Sequence, residues 1–198
     1  MMLALTGLDT MLYQIISLLL EVAAGLIAGT CLLRLYMQYQ RIPMSARSGN
    51  PLAKFIFALT DWLVLPLRRV LPAAGRVDTA SLVAAFLIQL LQFVILWAIA
   101  GMGGSLLTLV VLAAFGLVRM SILGLTGLVI IYALLSWVQT QSMAADFLER
   151  LVMPLLAPIR RVVPLTGGID LSPLVLLVLL QIAGIVLGNV QAAVLVAL

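Results

Sequence analysis

The sequence predicts an all-α membrane protein with four transmembrane helices arranged as two tandem parallel hairpin repeats, each with a basic interfacial helix. Three observations carry this. Of 198 residues, 65% are hydrophobic and 9% charged, at a mean hydropathy of +1.28, whereas a soluble domain carries about 25% charged residues. Charges are absent from residues 79–118, 120–145 and 171–198. Finally, the second half of the chain repeats the first.

A spanning helix needs about 20 apolar residues, and the segments near 13–36, 80–100, 117–138 and 172–194 meet that requirement. No basic stretch precedes the first, and no small-residue cleavage pattern follows it, so it reads as an anchor rather than a cleaved signal. Ten of the 11 Lys and Arg residues cluster around the two long loops: Arg34, Arg41, Arg47, Lys54, Arg68, Arg69 and Arg76 in one, Arg150, Arg160 and Arg161 in the other. The positive-inside rule puts both loops in the cytoplasm. Both termini and the Gly101–Ser105 turn then lie outside. Leu106 to Val138 is too long for a single perpendicular crossing, at about 50 Å against a hydrocarbon core of about 30 Å. Leu106 to Gly116 is therefore expected to be an outer re-entrant or interfacial segment, with a fifth crossing as the alternative, and Arg119 is expected near the outer headgroups.

The repeat is gapless from Phe55–Leu90 to Phe147–Ile182, with Pro66/Pro158, Arg68-Arg69/Arg160-Arg161, Pro72/Pro164, Gly75/Gly167, Asp78/Asp170 and Gln89/Gln181 matched at an offset of 92. Upstream the offset is 101, pairing Gln38 with Gln139 and Gln40 with Gln141, so the first copy carries extra residues around RIPMSARSGNP. The division falls at 1–100 and 101–198. Two crossings per copy give the copies the same orientation, unlike inverted transporter repeats.

The blocks LTDWLVLPLRRVLPAAGRVDTASLV and LVMPLLAPIRRVVPLTGGIDLSPLV resemble the paired signature of the YggT family of bacterial inner-membrane proteins, which has plastid relatives. The resemblance covers nearly the whole chain. It implies a multi-pass protein of the bacterial inner membrane, linked to extracytoplasmic and osmotic stress, septum-associated gene clusters or thylakoid organisation, and it supplies no catalytic residue. One departure is Met153, which stands where the first copy has Asp61.

With no His and one Cys, the chain has no His-based or multi-Cys metal site and no Ser/His or Cys/His pair, and no cofactor is expected. An intramembrane enzyme would need a nucleophile and base that the sequence does not offer. Leu52 to Val70 reads as an interfacial helix, with Lys54, Asp61 and Arg68 along one face and Phe55, Phe57, Leu59, Trp62 and Leu63 over the rest. Pro66 should bend it. Arg68, Arg69, Arg160 and Arg161 then sit at headgroup depth, as topology signals contacting anionic membrane lipids or as a docking surface for a membrane-protein partner or a second copy. No nucleic-acid readout fold accompanies them.

Asp78 and Asp170 precede spanning helices and suit capping of their free amides. A functional version pairs each with arginines of the other copy. Gln89 and Gln181 fall near the midplane, as mutually bonded packing amides or as the lining of a polar pathway. Glu21 either pairs with Arg119, approaches the outer headgroups, or handles ions. Cys31 reads as a small packing residue. Two function classes remain: a non-enzymatic scaffold that stabilises envelope complexes, and a small channel or accessory subunit for ion or osmolyte transport.

Overall fold

The computed structural model describes residues 2–44, 52–71, 75–100, 105–138, 143–162 and 170–198; the side chains of 2–9, 137, 138 and 144 are outside the description. The described residues form six helices: α1 (Met2–Tyr39), α2 (Ala53–Val70), α3 (Thr79–Ile99), α4 (Leu106–Val138), α5 (Met143–Arg160) and α6 (Ser172–Ala197). Four of these, at Thr10–Tyr39, Thr79–Ile99, Leu106–Ser136 and Ser172–Ala197, are long and apolar enough to cross a membrane. The chain is a helical membrane protein. The insert at 45–51, the turn at 101–104, Gln139, Gln141, Pro72, Pro164 and Gly167 lie outside the described residues.

α1 packs along α3, α3 along α4, and α4 along α6, while the 18-residue α2 bridges α1 and α3 and the 18-residue α5 bridges α4 and α6. Small side chains make the first of these contacts close. Ala24, Ala28 and Cys31 of α1 meet Ala80, Ala84, Ala85 and Ile88 of α3 in one core, joined by Val64 of α2 and Leu117 of α4. With lipid tails as apolar as the helices, close van der Waals approach of small residues is a leading source of association. Cys31 is fully buried there. The second core is built on α5, where Phe147, Leu151, Val152 and Leu156 pack with Val129 and Leu176. Met37 of α1 and Ile56 of α2 complete it, and the Tyr36 hydroxyl donates to the Leu151 carbonyl at 2.7 Å. The two halves therefore share a core.

Leu106 to Gly116 corrects the sequence expectation. It is neither re-entrant nor a separate crossing, but the first third of one uninterrupted 33-residue helix. No proline interrupts α4, and Leu109, Ala113 and Leu117 recur every four residues as buried positions, so the helix keeps a packing partner through the stretch. Gly116 lets α3 come close: a Cβ there would lie 3.2 Å from Gln89 Cγ and Cδ.

α1 ends in a two-bond cap. Arg41 N–H donates to the Gln38 carbonyl and Ile42 N–H to the Met37 carbonyl, both at 3.0 Å. Arg41 has φ +56° at the position glycine usually takes in this motif, which costs a side-chain-bearing residue about 1–2 kcal/mol. α2 runs through Pro66 to Val70. Its packed face is Ala53, Ile56, Thr60 and Val64, leaving Phe55, Trp62 and Leu65 half-exposed or more.

Candidate functional site

Polar side chains gather where α1, α2 and α3 converge. Asp78 caps α3, accepting from Ser81 N at 3.4 Å and from Ser81 Oγ at 2.7 Å, and Gly75 takes φ +64° to turn the chain toward it. The fully buried Asp78 also accepts from Arg68 Nη2, whose same nitrogen reaches Gln38 Oε1 at 3.0 Å. Burial pushes the Asp78 carboxyl up, but the Arg68 and Ser81 bonds outweigh it and hold it below the ordinary 3.8. The second copy repeats this contact. Arg160 Nη2 and Nε meet Asp170 Oδ2 at 2.6 and 2.9 Å, and Asp170 Oδ1 accepts from Ser172 N at 2.9 Å. Desolvation again opposes, and bonds to Ser172 and Arg160 again lower, the carboxyl. Arg160 is held above its usual value; desolvation works against this, and the Asp170 and Tyr132 bonds prevail.

Each aspartate thus pairs with the arginine of its own copy, ten residues upstream, not with one across a two-fold axis. The geometric reason is local: the arginine lies in the last turn of one helix and the aspartate just ahead of the next. Arg68 and Arg160 are consequently engaged within the protein. Arg69 and Arg161 are exposed and form no ion pair among the described residues.

A third ion pair is absent from the sequence expectations. Arg34, 2% exposed, donates through Nη1 to Thr60 Oγ1 and Asp61 Oδ1, both at 2.6 Å. Its guanidinium lies 5.0 Å from the centre of the Phe57 ring. At the offset of 101 the counterpart of Arg34 is Leu135, and at 92 that of Asp61 is Met153. The aligned positions of the second half therefore carry apolar side chains where the first half has both partners. That pattern avoids leaving either charge unpaired, and it was readable in the sequence by comparing the copies at both offsets. Met153 instead receives Arg160 Nη1 at its sulfur, 3.0 Å away.

The midplane amides are not joined. Gln89 is buried and donates from Nε2 to Gln92 Oε1 at 3.0 Å, a partner three residues along the same helix, while Gln181 is exposed on α6. Their matched sequence positions differ because α3 has neighbours on two sides and α6 is covered mainly by α4 and α5. Glu21 and Arg119 are both exposed, and no ion pair joins them among the described residues. No group of three His, Cys, Asp or Glu residues is placed to hold a metal among the described residues.

The fold and site define a helical membrane protein in which an arginine–aspartate clamp recurs at the start of α3 and α6. The CCB3/YggT family model matches residues 10–99 and 111–191. The chain belongs to the CCB3/YggT family. It is 32% identical over 181 residues to the "Uncharacterized protein YggT" of Escherichia coli K12, covering 90% of this chain and 92% of that one. It is 35% identical over 162 residues to the "Uncharacterized protein in proC 3′region" of Vibrio alginolyticus, covering 80% and 85%. An "Uncharacterized protein" of Haemophilus influenzae is 31% identical over 150 residues, covering 75% and 78%. No solved structure matches the chain significantly.

Proposed function

We propose that this protein is a non-enzymatic scaffold of the bacterial inner membrane that stabilises envelope complexes, with both termini outside the cytoplasm and the α1–α2 and α4–α5 connections inside it. The observation that carries the reading is the division of labour within each arginine pair. Arg68 and Arg160 clamp the helix starts, while Arg69 and Arg161 stand exposed and unpaired among the described residues beside them. Phe55, Trp62 and Leu65 add an exposed apolar face to α2, which suits a helix lying in the membrane interface. Arg69 and Arg161 are then a docking surface at headgroup depth, contacting anionic lipid and a membrane-protein partner, in an envelope stress setting.

The experiment is in-cell photocrosslinking from positions 69 and 161 with identification by mass spectrometry. Arg69→Gln with Arg161→Gln should abolish partner crosslinks from neighbouring positions while the protein still inserts and folds. Unchanged crosslinks would refute the docking role. The transport reading draws on the buried Gln89 Oε1, which has no hydrogen-bond partner among the described residues; reconstituted ion or osmolyte flux abolished by Gln89→Leu would favour it instead.

A further inference from the structure

Between α1 and α4 runs a half-open cavity of about 680 Å³, within the range of about 300–1,000 Å³ of small-molecule sites. Gly25, Gly29 and Gly124 add no side chains to its lining, Leu33 and Leu128 line it from α1 and α4, and Tyr39, the last residue of α1, and Val77, just before α3, line it too. The lining is almost entirely apolar and opens within the membrane-spanning length of both helices. Such a groove takes an alkyl chain.

The chemistry differs beside Tyr39 and Val77. Arg76 precedes Val77, and Arg41 follows Tyr39 by two residues; both are exposed, and neither forms an ion pair among the described residues. Asp61 and Asp78 are committed to Arg34 and Arg68. Arg41 moreover occupies a left-handed position that glycine would take without strain. An apolar slot with two exposed cations within two residues of its lining in sequence, neither ion-paired among the described residues, is complementary to one class of molecule, a chain-bearing anion with its charge at the membrane surface. Basic pockets between spanning helices are a recurring form of lipid headgroup site.

We infer that the α1/α4 groove is a binding site for one anionic phospholipid, its acyl chain lying over Gly29 and Gly124 and its phosphate held by Arg41 and Arg76. The site is separate from the roles given to Arg69 and Arg161 and stands or falls independently of them.

The full-length protein, purified in detergent, is titrated with phosphatidylglycerol or with phosphatidylcholine of the same acyl composition, and retained lipids are counted by native mass spectrometry. One phosphatidylglycerol per chain should be retained preferentially. Arg41→Gly and Arg76→Gln should each weaken its retention about fivefold, and together about thirtyfold, if each cation contributes its usual share. Arg41→Gly suits the helix end better than arginine does, so its thermal unfolding should be unchanged or raised while lipid is lost. Gly124→Leu fills the groove; a Cβ at Gly124 has no neighbour within 4 Å, and this variant should retain no preferential lipid. Equal retention of the two lipids, or undiminished phosphatidylglycerol in the double arginine variant, would overturn the assignment. So would photocrosslinks from Leu33 to a second copy of the chain with lipid retention unaffected.

Discussion

Replacing Asp61 by Met, the residue of the second copy, should destabilise the protein more than replacing Arg34 and Asp61 together. Arg34 is 2% exposed and gives Nη1 to both Thr60 and Asp61. Breaking a fully buried pair by removing one partner costs about 3–5 kcal/mol. Asp61 is 38% exposed, so screening lowers this to about 2 kcal/mol for Asp61→Met. Arg34→Leu strands a carboxylate that polar surroundings still reach, and Thr60 keeps its 2.6 Å bond to the Ile56 carbonyl, so about 1 kcal/mol is expected. The double variant restores the Leu135/Met153 arrangement and should lose less than Asp61→Met alone, a coupling of about 1–2 kcal/mol. Thermal unfolding of the wild type, both single variants and the double variant in one detergent measures the cycle. Additive losses would refute the idea that the two positions form one unit.

Two further outcomes follow from single positions. Gly116→Ala drives a Cβ to 3.2 Å from Gln89, which is held by Gln92, and should cost about 1–3 kcal/mol. Gly127→Ala, with nothing within 4 Å, should be neutral or stabilising by up to about 1 kcal/mol; the two melting temperatures, compared in one detergent, check the contrast. Asp78 and Asp170 both have carboxyls lowered from 3.8, so their contribution is complete above that value and disappears as pH falls through the lower folded-state values. Unfolding followed from neutral pH down to about pH 3 should show stability falling only below about pH 4, and Asp78→Asn should flatten part of that fall while lowering stability at neutral pH.

The spanning helices were legible because each is an uninterrupted apolar run between charged loops, and Asp78 because an acid ahead of such a run meets free amides. Pro173 falls in the first turn of α6, where its missing N–H has no intrahelical partner to lose. What the sequence withheld was neighbourhood. Arg34 sits in the same basic cluster as the exposed arginines, and only packing against Thr60 and Phe57 distinguishes it from a topology signal. Gln89 and Gln181 are equivalent in the repeat, yet one is enclosed and the other faces outward, because periodicity within a helix does not specify how many helices surround it. The length of α4 misled in a different way: about 30 Å of hydrocarbon suggested an interruption, but a helix longer than the core is accommodated by tilt or protrusion.

That length makes α4 the common neighbour of both halves. It contacts α1, α3, α5 and α6 and carries no proline, so a change in its tilt would disturb packing in both halves of the chain. A thinner or thicker bilayer acts on the mismatch between helix and hydrocarbon at a fraction of a kcal/mol per Å. Membrane thickness is therefore expected to act on both halves of the chain through this one helix.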